Sequence, residues 1–146
     1  MSEVEELSYA TCRSLLAGGV FGRVGVCTEA GPRIIPVNYS VVGEAVIIRT
    51  TDDGLLASHG VGAPMVFEVD HVNYGDHRGW SVLATGQGEF VEAAEELTLV
   101  RRTWEPRPWA GGPRPAYVRL RWTELTGRRL GQGWTRDNEL PVRRQL

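Results

Sequence analysis

The chain has 146 residues, of which 42% are hydrophobic and 23% charged, and its formal net charge is −2. This length predicts a single domain with a sizeable core, and a slightly negative chain without a long basic run argues against nucleic-acid binding. No apolar run approaches the roughly 18 residues that a membrane span requires. Residues 1–6 are acidic where a signal peptide is basic, so we expect a cytoplasmic protein that does not act at a membrane.

Alternating and β-branched apolar runs predict six strands, and helical periodicity with capping residues predicts two helices. The strands are expected at residues 21–28, 34–42, 45–50, 65–72, 80–91 and 116–126, and the helices at residues 9–17 and 92–104. Ser8 is the expected N-cap of the first helix. Gly43 and Glu44 join the second and third strands in a hairpin. Because several strands contain bending glycines, the sequence predicts a mainly β fold, a small curved sheet or barrel with helices at its edge.

Proline marks two places where regular pairing is interrupted. Pro36 lies inside a predicted strand, and because proline cannot donate to a ladder it marks an edge, a bulge or a gap in pairing. Residues 105–115 contain four prolines and are predicted to form an ordered loop or a lid. No domain boundary interrupts residues 1–146, and the polar tail over residues 131–146 is expected to be loosely held.

The central hairpin ends in a set of polar residues. Its second strand runs into Arg49, Thr50 and Thr51, followed by Gly54 and a short helix-compatible segment that begins at Leu55. An arginine and two hydroxyls at the mouth of a helix can form an anion cradle, since arginine binds phosphate through two parallel hydrogen bonds. The alternative is a hairpin whose arginine is merely solvated.

Other catalytic and metal-binding patterns are missing from the sequence. There is no nucleophile elbow, no paired-cysteine motif and no phosphate-binding P-loop. The histidines at positions 59, 71 and 77 match no zinc-ligand spacing. We therefore assign neither a catalytic side chain nor a metal ligand from the sequence.

Five motifs in a fixed order carry a resemblance to a known family. They are PVNY (36–39), IIRTT (47–51), FEVD (67–70), GWSV (79–82) and TGRR (126–129). Together they resemble the pyridoxamine 5′-phosphate oxidase-like superfamily, and more closely its short actinobacterial branch of flavin- or F420-binding proteins. The resemblance implies a six-stranded antiparallel split β-barrel that forms a homodimer. It also implies that FMN, or alternatively the deazaflavin F420, lies in a groove between the subunits.

The resemblance further implies a role for each matching position. The segment that meets the edge of the flavin ring is Pro36, Val37, Asn38 and Tyr39. The phosphate is held by Arg49, Thr50, Thr51 and the start of the following helix at Leu55 and Leu56. The groove is lined by Trp80 and Ser81, and Arg128 approaches the cofactor from the partner chain.

Two departures from the family pattern narrow the function. The chain has no lysine to follow the glycine of the phosphate loop, and Asp52 and Asp53 precede that glycine. Its C-terminal segment contains no histidine, which argues against true pyridoxamine phosphate oxidation. With these departures, the resemblance implies an FMN- or F420-dependent oxidoreductase of a small organic molecule. The alternative is a non-enzymatic protein that binds or sequesters haem, flavin or another ligand, or a cofactor-free relative.

Overall fold

The computed structural model describes residues 4–131, which form eight strands and three helices. In chain order these are β1 (Val4–Glu6), α1 (Tyr9–Gly18), β2 (Phe21–Thr28), β3 (Gly31–Asn38), β4 (Ser40–Val42), β5 (Ala45–Thr50), α2 (Leu55–His59), β6 (Pro64–Asn73), β7 (Arg78–Phe90), α3 (Ala94–Trp104) and β8 (Ala116–Leu130). The predicted tail lies outside the described residues, except for Gly131. Within residues 4–131, no helix combines the length and apolar character needed to cross a lipid bilayer.

All paired strands are antiparallel and belong to one sheet. Its order is β3-β2-β6-β7-β8-β5-β4, with β1 pairing on β8. Strands β3 and β4 lie at opposite ends of this order, yet only Tyr39 separates them in the chain. The sheet must therefore curl so that its two ends approach each other. This curled, mainly β architecture confirms the predicted fold class.

The structure has eight strands where six were predicted. The apolar run over residues 34–42 is continuous in sequence, but the chain turns at Tyr39 to pass from one end of the sheet to the other. The additional strand β1 is short and exposed, and it pairs by backbone bonds with the extended end of β8. Neither the break at Tyr39 nor strand β1 can be recognised from a hydrophobic pattern, because both depend on where distant strands lie.

The first helix begins where the sequence indicated. The Ser8 hydroxyl accepts a hydrogen bond from the backbone N–H of Thr11 at 3.2 Å, which satisfies a free donor of the first turn. Cys12, Leu15 and Leu16 are buried on one face of α1. They pack into the principal core, which the concave side of the sheet encloses. A smaller cluster lies under α3 and consists of Ala45, Ile47, Val91, Val100 and Tyr117.

Glycines shape the long strand β7, as the sequence predicted. The pairing of β7 with β8 shifts register between Thr85 and Gly86. A Cβ atom at Gly86 would lie only 2.1 Å from the carbonyl oxygen of Arg121, so only glycine allows the two backbones to approach this closely. The resulting irregularity bends the strand around the core.

Candidate cofactor site

The segment predicted to meet a flavin ring lies on an edge strand. Among the described strands β3 pairs only with β2, and the register is continuous through Pro36, which pairs with Arg23. Pro36 therefore marks an edge and not a bulge. Along this edge, backbone groups that point away from β2 are available to a ligand.

Asn38 joins this edge to a distant loop. Its side-chain Nδ2 donates to the carbonyl of Val20 at 3.2 Å, and its Oδ1 accepts from the backbone N–H of Trp109 at 2.8 Å. The loop over residues 105–115 is irregular, as predicted, and Asn38 fixes its middle. The asparagine thus positions a segment that lies 71 residues away in the chain.

Two aromatic rings that the sequence reasoning missed lie beside Asn38. Phe21 pairs with Asn38 in the β2–β3 ladder. The rings of Phe21 and Trp109 are stacked, with centroids 5.6 Å apart and planes 4° from parallel. Trp109 remains 70% exposed. The sequence signal that could have identified Trp109 is a tryptophan between prolines in a predicted loop, because such a loop presents its side chains to solvent.

Tyr39 and Val37 point toward the core. Tyr39 is 1% exposed, its hydroxyl donates to the carbonyl of Leu16, and its ring contacts Phe67. Burial raises the pKa of the Tyr39 phenol. Val37 is partly buried against the same core. The chain turns the Tyr39 ring inward at the bend between β3 and β4, and the predicted contact of this segment with a cofactor stays a prediction.

Thr50 and Thr51 bring two hydroxyls to the start of α2. A Cβ atom placed on Gly54 would lie 2.5 Å from Oγ1 of Thr51 and 3.6 Å from Oγ1 of Thr50. Both hydroxyls therefore lie close to residue 54, and the contact with Thr51 leaves no room for a side chain there. Asp52 and Asp53 are exposed. Hydroxyl donors beside a close-approaching backbone suit the oxygens of a phosphate.

Arg49 does not lie with the two threonines in the single chain, and its predicted role in holding a phosphate stays a prediction. Side chains alternate along a strand, so Arg49 lies on the face that carries Ile47 and Thr50 on the opposite face. The Arg49 guanidinium forms an ion pair with Glu105 at 3.3 Å, and its Nε donates to the carbonyl of Arg114 at 3.3 Å. The side chain is engaged at both ends of the 105–115 loop.

Tyr117 completes the contacts that hold this loop. The Arg49 and Arg101 guanidinium groups lie 5.1 and 5.6 Å from the centre of its ring, and the Tyr117 hydroxyl donates to Glu105. Burial, followed by the bond to Glu105, raises the pKa of Tyr117. This cluster links β5, β8 and the end of α3 to the loop that carries Trp109.

Leu55 and Leu56 lie at the start of α2, but their side chains differ in environment. Leu55 is 38% exposed, whereas Leu56 is 2% exposed and belongs to the principal core. Only the backbone of Leu56 is therefore available to a ligand. Its side chain is a packing residue.

Trp80 lies in the core of the single chain, and its predicted place in a groove wall stays a prediction. Its indole is 3% exposed within the principal core cluster. Among the described residues, no hydrogen-bond partner accepts from its Nε1. The ring cannot stack on a cofactor outside the barrel, because the alternation of β7 turns Trp80, Val82 and Ala84 inward.

Ser81 and Arg128 lie together on the convex face of the sheet. They are direct partners in the β7–β8 ladder, and Arg128 is exposed. Three strand spacings of about 4.8 Å, or roughly 14 Å, separate Ser81 from the strand that carries Asn38. Within one chain, the structure therefore does not bring Ser81 or Arg128 to the aromatic rings beside Asn38.

Acidic residues share the same convex face. Arg23 contacts Glu68 at 3.1 Å and Asp70 at 3.6 Å. Burial, together with the hydrogen bond and negative charge of Asp70, raises the pKa of Glu68 to about 7 even though Arg23 opposes the shift. Ionising the Glu68 carboxyl beside Asp70 therefore costs free energy in the folded single chain.

An open cleft of about 750 Å³ lies apart from the predicted residues. It is bordered by the irregular part of β7 and by Val61, Gly62, Arg121 and Thr123.

Within residues 4–131, no three histidine, cysteine or acidic side chains come together as metal ligands. The candidate site therefore consists of the β3 edge with its aromatic rings and the hydroxyl pair at Gly54.

Residues 8–129 match the profile of the family described as Pyridoxamine 5′-phosphate oxidase. The match spans the curled sheet and the candidate site. The chain belongs to this family. An uncharacterised protein of Mycobacterium tuberculosis is 31% identical over 133 residues, which cover 88% of this chain and 86% of the relative.

Several solved structures are similar to the described fold. One, from Corynebacterium glutamicum and proposed to be a pyridoxamine 5′-phosphate oxidase, is 31% identical, has a TM-score of 0.75, and covers 90% of this chain and 96% of its own. A FAD-binding protein from Mycobacterium smegmatis is 27% identical with a TM-score of 0.72, covering 85% of this chain and 96% of its own. A FAD- and haem-binding protein of the same organism, at 16% identity and a TM-score of 0.63 over 92% of this chain and 78% of its own, shares the fold. The recognition of the superfamily from its motifs is confirmed.

Proposed function

We propose that this chain is a flavin-binding oxidoreductase that uses FMN, or alternatively F420, to reduce or oxidise a small organic molecule. The observation that carries the proposal is the free edge of β3 beside Asn38, in a chain of this family. The FAD-binding protein from M. smegmatis, at 27% identity, adds support for a flavin and makes FAD a third form to test.

The residues present fit the two ends of such a cofactor. At the ring end, an unpaired strand edge offers backbone hydrogen-bonding groups to the heteroatoms of a flavin. At the phosphate end, the Thr50 and Thr51 hydroxyls lie close to Gly54 at the start of α2. Arg49 is omitted from this set because it is bound to the 105–115 loop.

A bound flavin supplies the hydride chemistry, while the protein supplies binding and orientation. The β3 edge positions the ring, and the aromatic residues beside Asn38 restrict the access of water to it. The threonine hydroxyls donate to the phosphate. This division of work requires no catalytic triad, and the sequence contains no motif for one.

We also propose that the protein works as a homodimer through the convex face of its sheet. Among the described elements, no helix covers this face where apolar side chains of β6, β7 and β8 remain partly exposed. These side chains are Val66, Val72, Leu83 and Leu130. A second copy on this face would bury them and would supply Ser81 and Arg128 from a neighbouring chain.

Cofactor retention tests the proposal directly. The purified full chain is incubated separately with FMN, FAD and F420, desalted, and examined by absorbance. We expect one of them to be retained, and Thr51→Val to weaken its affinity about tenfold because a hydrogen bond to a charged group is lost. Thr98→Val, which removes an exposed hydroxyl of α3, should leave affinity unchanged. Retention of none of the three cofactors would refute flavin binding.

One alternative is a binding protein without turnover. It is favoured by the ion pair that occupies Arg49 and by the exposed carboxylates of Asp52 and Asp53. Carboxylates near the threonines oppose a dianionic phosphate. Adding NAD(P)H and an electron acceptor to the loaded protein separates the two functions. An oxidoreductase turns over, whereas a sequestering protein retains its ligand without consuming NAD(P)H.

A further inference from the structure

We infer that Trp109, supported by Phe21, is the aromatic platform on which the planar ring of the bound flavin stacks. The inference rests on the proposed flavin-binding function and adds a residue and a role that the family motifs do not contain. It depends on three features of the chain: the exposure of Trp109, the rigidity of its loop, and its attachment to the β3 edge.

The exposure of Trp109 is unusual for so large an apolar side chain. Its indole is 70% exposed, and the parallel Phe21 ring packs along it, with the planes only 4° apart. Most of the indole surface is therefore left open to solvent. A planar ligand that stacks on this surface would bury apolar area that the isolated chain leaves in water.

The loop that carries Trp109 is held in place at several points. Pro106 is fully buried, Glu105 is bound by Arg49 and Tyr117, and the carbonyl of Arg114 accepts from Arg49. The prolines of the loop further restrict its backbone. The indole is therefore presented before a ligand arrives, which lowers the entropy cost of stacking.

The platform is attached to the strand edge that the ring would meet. The Trp109 backbone N–H donates to Asn38 at 2.8 Å, and Phe21 is the ladder partner of Asn38. One residue of the PVNY motif thus contacts both aromatic residues. A flavin bound along the β3 edge at Asn38 would find the indole face beside it, whereas a non-planar ligand would not use this arrangement.

The same contacts give Arg49 a positioning role. It does not lie with Thr50, but it binds both ends of the loop that presents Trp109. Loss of its guanidinium should loosen the loop and weaken stacking indirectly. Arg49→Met and Trp109→Ala should therefore have effects on affinity that are not additive.

The test measures the dissociation constant of whichever of FMN, FAD or F420 the full chain retains. Trp109→Ala should raise it about tenfold, near the upper end of the range for an aromatic pair, and Trp109→Phe should recover most of the loss. The fluorescence of the bound cofactor gives a second readout, because a stacked indole quenches it. Quenching should be strong in the unaltered protein. The fraction of the quenching that Trp109→Phe retains should be smaller than the fraction of the affinity that it retains.

Tyr74→Ala is the matched control, since Tyr74 is another exposed aromatic residue, in the turn between β6 and β7. Its affinity and quenching should equal those of the unaltered protein. Thermal unfolding of every variant checks that the fold is retained. The double variant Arg49→Met/Trp109→Ala should bind about as weakly as Trp109→Ala alone.

Each contrary result overturns a defined part of the inference. If the unaltered chain binds a flavin and Trp109→Ala binds it equally well, the platform is wrong while the proposed function stands. If Trp109→Ala changes only the oligomeric state, Trp109 is covered by a second copy instead. Additive effects in the double variant would remove the positioning role of Arg49. If the unaltered chain retains none of the three cofactors, the platform and the proposed function both fail.

Discussion

Arg49 and Thr50 are neighbours in sequence, but they act on opposite faces of β5. Arg49 lies over Tyr117 and binds Glu105, whereas Thr50 is buried on the side of the principal core. A motif read along the chain groups these residues, because sequence order does not show which face each side chain occupies. In a strand, only every second residue shares a face.

At the same scale, Glu68 is expected to make stability depend on pH. Its pKa is raised from 4.5 to about 7, chiefly by burial. Between these values the folded state holds the proton more tightly than the unfolded state, so stability should fall as pH rises through this window. The urea midpoint of the unaltered chain should therefore be lower at pH 8 than at pH 5.5.

Glu68→Gln should remove most of this dependence, because its amide does not titrate. Glu124→Gln, at an exposed position of the sheet, serves as the control and should retain the dependence. An equal fall in the urea midpoint for Glu68→Gln and the unaltered chain would show that another group is responsible.

At the scale of elements, β7 depends on glycine where its register shifts. Gly86→Ala would place a methyl group 2.1 Å from the Arg121 carbonyl, so the paired backbones must separate. We expect a loss of about 2 kcal/mol or more in the free energy of unfolding, measured by urea denaturation.

Gly18→Ala provides the comparison, since no atom lies within 4 Å of the added methyl group. It is the last residue of α1 and should be neutral or slightly stabilising. A stability loss in Gly18→Ala equal to that in Gly86→Ala would contradict a specific steric cause at the β7–β8 irregularity.

At the scale of the whole molecule, the convex face of the sheet decides the proposed assembly. Leu83 is 39% exposed on this face, between Glu68 of β6 and Thr126 of β8. Leu83→Arg should weaken the proposed homodimer at least tenfold, because it places a charge in an apolar contact. Analytical ultracentrifugation across a concentration series measures this change.

Leu99→Arg changes another exposed leucine, on α3 and away from the convex face, and should leave the dimer intact. A dimer that tolerates Leu83→Arg but is broken by Leu99→Arg would place the interface on the helical side. A chain that is monomeric without any substitution would refute the homodimer.

The sequence by itself determined most of the elements, the fold class and the family. Periodicity and capping located α1 and the β4–β5 hairpin, because these depend on residues close together in the chain. The ordered motifs identified the superfamily that the family profile confirms. The predicted roles of Pro36, Ser81 and Arg128 beside a cofactor stay predictions.

Only the tertiary structure decided which side chains meet. It placed Trp80 and Leu56 in the core and bound Arg49 to the 105–115 loop. It also brought Trp109 to Asn38 across 71 residues of sequence. Local patterns encode the spacing of residues along one element, whereas the candidate site depends on how a curled sheet brings distant elements together.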